Sequence, residues 1–524
     1  MAINIGSQSI VKNGLVAALD ASNSENYAPL TFVEVLVVAA GGGGGFGETN
    51  VNGGGAGGGG AGGLLYSNNY SVTAGSAINV TTGNGGSSAA NESTISNNGQ
   101  NSVFGNLTAI GGGGGGGGGV EGNNTANSGG SGGGAGGDGN TVAFGGAGTA
   151  GQGFAGGGRI SNRNRAGSGG GGAGALGSPG FQSGTIGAGG KGGNGLLFNI
   201  SGRPRYYAGG GGGACSQNFA ANTTISGGAG GTGGGGFGAP FGGASNTAAG
   251  GAGGVANSGG GGGGGYGTSG GTGGSGVVIV RYPGPQKAIG GTITQVDGYT
   301  IHTFNTSSSF TPLTTAQLQS TFYGLNDLSG NNNIATPVNG PTYTSENGGG
   351  IVFDGTDDYL ILNHNYPHPR TIDFNNSTVI YVAKLSSSPN NRNTIFAQYT
   401  GTGAQHEWFN TGYLRSNYRD ATAGTPELDA PNGVGQINTN TVYHITVTYG
   451  QKTIAHYKNG VSLGSATNST HNNVNGATRV NIGRNNAAGL YFKGTIYHVL
   501  IYDRVLSQDE VTRNFNAVKG RFGL

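Results

Sequence analysis

The chain has 524 residues, 124 of them glycine, with 8% charged residues and a formal net charge of +2. An ordinary soluble domain carries roughly 25% charged residues, and a nucleic-acid binder shows a basic patch, so the charge pattern excludes nucleic acid as a partner. The single cysteine, Cys215, excludes an intrachain disulfide framework and, with no identifiable histidine partner, reads as inert.

The opening "MAINIGSQSIVKNGLV" lacks a basic start followed by an apolar core, so no secretory signal is expected. The longest apolar run, "LTFVEVLVVAA", is broken by Glu34 and too short to span a bilayer, so no membrane insertion is expected either. Within the first 29 residues "GLVAALDA" reads as a strand. Strict alternation would set Leu15, Ala17 and Leu19 on one face.

Residues 41–276 hold about 96 of the 124 glycines. This segment opens on "FVEVLVVAAGGGGG" and closes on "GGSGVVIVRYPGP", both Val/Ile-rich strand signals. A flexible linker has no reason to begin and end on strands, and it lacks the apolar punctuation seen in "GGLLYSNNYSV" or "NGLLFNISGRPRYYAGG". Polyproline II offers an ordered alternative. It has three residues per turn and no internal hydrogen bonds, so side-by-side glycine helices can bond to one another. Any Cβ would hold the backbones apart, so the interior of such a bundle demands glycine, as in the unbroken run Gly111–Gly119. Next, "GYTIHTFNTSSSFTP" (298–312) reads as a hairpin.

From about Thr314 short strands and turns follow one another, as in "GGGIVFDGTDDYLILN", "NSTVIYVAKL" and "TRVNIGRNN". In "YHITVTY", His444, Thr446 and Thr448 face one way and Tyr443, Ile445, Val447 and Tyr449 the other. "HYKNGVSLG" turns at Asn459-Gly460. An antiparallel sandwich is predicted. It ends on a helix whose Ser507 and Glu510 form a capping box, with Leu506, Val511, Phe515 and Val518 apolar.

Three clusters carry candidate chemistry. Asp354, Asp357 and Asp358 in "FDGTDDY" could hold Ca²⁺, or could simply form an Asx-type turn into the next strand. The sole tryptophan, Trp408, stands in "QHEWFNTGYLRSNYRD" with His406, Tyr413, Arg415, Tyr418 and Arg419. These are the aromatic planes and polar groups of a sugar-binding face, or else core packing. Glu427 and Asp429 in "PELDAPNG", flanked by Pro426 and Pro431, read as a loop.

Two resemblances sharpen the reading. "VEVLVVAAGGGGG", "GSGVVIVRYPGP" and "GYTIHTFNTSSSFTP" resemble the glycine-rich modules of bacteriophage tail-fibre adhesins, some of which fold as polyglycine II sandwiches. In those modules the hairpin often precedes "VEVLVV", whereas here it follows the glycine segment. "IVFDGTDDYL", "YKNGVSLGS" and "NIGRNN…YFKGTIYHVLIYDRVLSQDEV" resemble the concanavalin A-like, laminin-G-like jelly roll, and "GLVAALDASNSENY" looks like that family's opening strand. In relatives this strand runs almost directly into a "DLSGNNN" element, here Asp327–Asn333.

The resemblances imply an all-β chain: an antiparallel jelly-roll sandwich plus a polyglycine II-type bundle, with one short C-terminal helix. They divide it into residues 1–29 (first strand of the jelly roll), 30–285 (an inserted glycine module), 286–313 (a β-hairpin connector) and 314–524 (the jelly roll). Glucanases of this fold use an E-x-D-x-x-E pattern, and "PELDAPNG" lacks the final Glu, so binding is expected in place of catalysis. The combination implies a bacteriophage virion appendage, tail-fibre or adhesin-like, that binds host-surface glycan or protein. Other virion proteins and copies of the same chain, as a trimer or higher assembly, are the expected partners. The alternative is a capsid-decorating or filament-forming protein whose jelly roll is an assembly interface.

Overall fold

The computed structural model describes residues 9–48, 54–92, 94–119, 124–137, 142–159, 165–183, 186–215, 225–240, 248–363, 376–386, 392–398, 403–409, 414–419, 427–429, 437–450, 453–467, 479–485 and 490–524. In the C-terminal half an eight-stranded and a seven-stranded sheet enclose one apolar core. Apolar residues at every second position drive this pairing: Tyr443, Ile445, Val447 and Tyr449 enter the core, as their alternation predicts.

Strand Lys493–Tyr502 organises the larger sheet. One edge pairs with Asn376–Leu385. The other edge carries two strands end to end: Gly350–Asp354 beside residues 493–496, and the N-terminal Leu15–Asp20 beside residues 498–502. A register shift between Leu15 and Ala17 breaks the simple alternation. Val16, Ala17 and Leu19 enter the intersheet core, while Leu15 joins Ala18 on the opposite side, beneath the C-terminal helix.

Loop 327–333 holds the N-terminal strand from the far side of the sequence. Asp327 Oδ1 accepts from the Ala18 N–H (2.9 Å), and Asn333 Nδ2 donates to the Val16 carbonyl (2.9 Å). The chain's exit and return also touch. The Asn326 N–H donates to Asn26 Oδ1 (2.9 Å), and the Lys287 ammonium donates to the Glu25 carbonyl (2.6 Å).

Helix Gln508–Phe522 starts at the expected capping box and ends on Gly523 in the left-handed region (φ 65°). Val511, Ala517 and Val518 cover Ile380, Val382 and Leu500, and the Phe515 ring meets His444 edge-on at 5.5 Å. The helix therefore closes the sheet face that Thr446 and Thr448 share. A second helix, Thr315–Ser320, was not expected, although "TTAQLQ" carries its capping box, Thr314 with Gln317. Residues 427–429 form a short strand paired with Leu414–Arg419, where the flanking prolines had suggested a loop.

The glycine segment is an ordered hydrogen-bonded lattice. In run 111–119 successive N–H groups point in three directions, as a three-residue turn requires. Gly112, Gly115 and Gly118 donate to the carbonyls of Ala40, Gly43 and Phe46 (2.8, 2.9 and 2.9 Å). Gly113 and Gly116 donate to Ser131 and Gly134, and Gly111 and Gly114 to the side-chain oxygens of Asn101 and Asn98.

Residues 54–63 sit at the centre. They donate to segments 110–118, 165–171 and 259–265, and accept from 42–48, 131–137 and 211–214. Three neighbours thus accept every N–H from Gly54 to Gly63, and three more donate to the carbonyls of this run. A Cβ on Gly112, Gly114 or Gly115 would meet the carbonyl oxygen of Gly60, Ser96 or Gly57 far inside van der Waals contact. This is why the interior is glycine.

Two five-stranded sheets cap one end of the lattice. The border strands Phe32–Val38 and Val277–Pro283 pair antiparallel with each other. Tyr299–Phe304, whose partner the sequence left open, adds to Val277–Pro283. Val35, Val37, Val278 and Val280 pack against Phe104 and Phe310 of the second sheet. On the other face Leu36, Val277 and Ile279 lie under Ile200 and Tyr207. Burial on both faces explains the near-continuous apolar runs at the borders.

Candidate functional site

The aromatic stretch lies on the seven-stranded sheet, where Gly403–Phe409 pairs with Leu414–Arg419. Register sets Trp408 opposite Leu414 and His406 opposite Ser416. Leu414 belongs to the intersheet core, and the Ser416 hydroxyl bonds His456 Nε2 of the other sheet at 2.8 Å. Leu414 and Ser416 share the core-facing register of their strand, and buried Arg415 alternates to the opposite face. The side chains of Trp408, His406 and Tyr418, and all of Tyr413, lie outside the described residues, as do the side chains of Glu427 and Asp429. Burial pushes the His456 pKa down to about 4, so this imidazole is neutral where it meets Ser416. Sequence reasoning missed the Ser416–His456 pair, because nothing in either strand marks which residues meet across a core.

The acidic turn joins strands Gly350–Asp354 and Tyr359–Asn363. Carboxylate oxygens of Asp354, Asp357 and Asp358 lie within 4.8 Å of one another; the first two residues are exposed and Asp358 is buried. Asp354 Oδ1 accepts from the Thr356 N–H (2.7 Å), and Asp358 Oδ2 accepts from the Asp354 N–H (3.0 Å). Burial and the two neighbouring carboxylates push Asp358 up to about 6, against the pull of that N–H. At Asp354 desolvation is the largest single influence, but the N–H donors of Thr356, Asp357 and Asp358 and the Thr356 hydroxyl together outweigh it and hold its carboxyl below the usual range.

The turn is thus an Asx-type turn, and its outward oxygens are a hard donor set of the kind Ca²⁺ accepts. Beside it, the Arg484 guanidinium lies 4.8 Å from the Tyr359 ring centroid and 5.6 Å from that of Tyr491. Arg484 lies in "NIGRNN", a stretch that the sequence reading used only for the jelly-roll resemblance.

Among the described residues no helix is long and apolar enough to cross a membrane. Comparison with known proteins identifies two regions. The model of the concanavalin A-like lectin/glucanases superfamily matches residues 354–512, and the glycine-rich domain model matches residues 21–283. No curated protein matches the chain.

Solved structures similar to it include the binding domain of Paraclostridial Mosquitocidal Protein 1 (18% identity, TM-score 0.32, 37% of this chain and 49% of that one). The botulinum neurotoxin serotype D binding domain is another (19%, TM-score 0.31, 38% and 50%). A third is Trypanosoma rangeli sialidase (15%, TM-score 0.30, 37% and 30%). The chain spans half or less of the length of these structures.

Proposed function

Since the chain belongs to the glycine-rich domain family through residues 21–283 and carries a concanavalin A-like domain over 354–512, we propose that it is a non-catalytic binding protein of a bacteriophage particle. In this reading it is a tail-fibre or adhesin-like appendage in the virion. Its jelly roll holds host-surface glycan, and its glycine lattice is the rigid body that presents it. The observation that carries the reading is the union, in one chain, of a lectin-type sandwich with a nearly uncharged, backbone-bonded lattice. Such a lattice keeps its shape without disulfides or many ion pairs.

The domain organisation we propose is an insertion: the glycine module interrupts the jelly roll between its first strand and residue 314. The pairing of Leu15–Asp20 with Lys493–Tyr502, and the contact of Asn26 with Asn326, support it. Insertions survive where chain ends lie close together.

The test of binding is adsorption of the purified chain to host cells and to a glycan array, with Trp408→Ala alongside. Retained folding with lost adsorption places the binding plane at Trp408. A variant that melts several degrees lower and still adsorbs assigns the ring to the core. Failure of the intact chain to adsorb to any glycan or cell rejects the function.

One observation favours the assembly reading as a component of the same picture. Twelve of the fifteen large apolar side chains exposed among the described residues lie between residues 30 and 285, with Phe144, Leu176 and Phe237 foremost. Exposed apolar surface of this kind suits contacts with other copies or other virion proteins. If it drives a trimer or higher assembly, Phe237→Ser should lower the mass measured by light scattering.

A further inference from the structure

A groove of about 460 Å³ runs between the hairpin connector and the jelly roll. One wall is Gln286, Ile293, Thr294 and Gln295; the other is Tyr323, Thr336 and Pro337. The walls are tied across the junction by Thr336, whose hydroxyl donates to Gln295 Oε1 at 2.5 Å. That bond fixes the Gln295 amide so that its nitrogen remains a donor. The Gln286 amide nitrogen donates to the Ala288 carbonyl (3.0 Å), which leaves its oxygen as an acceptor. Among the described residues no hydrogen bond takes the Tyr323 hydroxyl, and that ring is half-buried.

We infer that this groove binds a neutral oligosaccharide. Its volume falls in the range of small-ligand sites, which occur preferentially where two structural units meet. Among the described residues no charged side chain lines it, which disfavours phosphorylated or carboxylated ligands. A fixed donor, a fixed acceptor and a phenol are the complement of vicinal hydroxyls, and a half-exposed tyrosine ring with a proline beside it suits the apolar face of a pyranose. The inference borrows only the ligand class from the glycan-binding reading, because its residues are distinct from Trp408 and its neighbours. Neither wall alone makes the site: Gln295 and Thr336 are brought together only by the junction between the two units.

The test is titration of the full chain with maltopentaose, cellopentaose and chitotetraose, with sialyllactose as the charged control, read by calorimetry and saturation-transfer NMR. Thr294 is exposed, so Thr294→Trp fills the groove without touching the core, and Tyr323→Ala removes the ring. The expected result is binding of at least one neutral oligosaccharide, independent of ionic strength. Both variants should weaken it about tenfold or more while Trp408→Ala leaves it intact. Unchanged affinity in Thr294→Trp, binding of sialyllactose alone, or no binding of any neutral member overturns the inference. Failure of every neutral oligosaccharide to bind, with Trp408-dependent adsorption preserved, rejects the groove alone, and oligosaccharide binding in the groove without Trp408-dependent adsorption rejects only the Trp408 face.

Discussion

Replacing Gly58 by alanine puts one methyl group at the centre of the lattice. Its Cβ would be driven into the carbonyl of Gly211, so segment 211–214 must move away. Two hydrogen bonds tie that segment to the central run, Gly211 N–H to Gly59 O (2.9 Å) and Ala214 N–H to Ala56 O (2.8 Å). Losing buried backbone bonds costs about 1–3 kcal/mol each, hence roughly 2–6 kcal/mol for the pair. Alanine restricts the unfolded chain and returns about 0.4–1 kcal/mol. The net loss of about 1–5 kcal/mol corresponds to a fall in Tm of roughly 2–20 °C for a unit of this size. Gly158→Ala is the control, since its Cβ would meet nothing nearer than 3.7 Å, and it should leave Tm unchanged or slightly raised. Scanning calorimetry measures both. A Gly58→Ala protein that melts with the parent would refute the close-packed lattice.

Acid should destabilise the fold through its buried histidines. Burial pushes His302, His444 and His456 down to about 4, 3 and 4, while the unfolded chain takes up protons near pH 6.5. Their contribution is complete above pH 6.5 and is lost as pH falls toward the folded values, about 2 kcal/mol per histidine at pH 5. His456→Gln should flatten the pH dependence of Tm in this window, and an unchanged slope would contradict the assignment. Calcium should raise Tm if the acidic turn holds it, and Asp358→Asn should abolish the rise; calorimetric titration with CaCl₂ that shows no heat rejects the site. Replacing residues 30–312 by a short Gly/Ser linker should leave a soluble jelly roll, since closing a short loop costs little. Deleting residues 1–29 should instead destabilise that half, and a jelly roll indifferent to the deletion would argue against the insertion.

The glycine lattice was legible because its demand is local. Only glycine fits where a backbone carbonyl takes the place of a Cβ, and apolar strands marked both borders. The C-terminal helix was legible through Ser507 and Glu510 for the same reason. The shifted register at Leu15 was not, because a bulge changes which face a side chain meets without changing residue types. Helix Thr315–Ser320 carried its signal in Thr314 and Gln317, but it is too short to show an apolar periodicity. Strand 427–429 was hidden by Pro426 and Pro431, which lack a backbone N–H themselves but leave the residues between them free to pair. The aromatic stretch looked like one face in sequence. On the strand that follows Trp408, alternation sets Arg415 against Leu414 and Ser416, and only tertiary register decides which of them meets the core. The groove at Gln295 and Thr336 had no sequence signal, because its two walls come from separate units.

Hydrogen–deuterium exchange across residues 111–119 tests the lattice most directly. If the N–H groups of residues 111–116 and 118 are bonded to segments 40–46 and 131–134 and to Asn98 and Asn101, they should be protected to nearly the same degree as strand Lys493–Tyr502. Exchange at the rate of an unstructured glycine linker throughout the run would contradict the account.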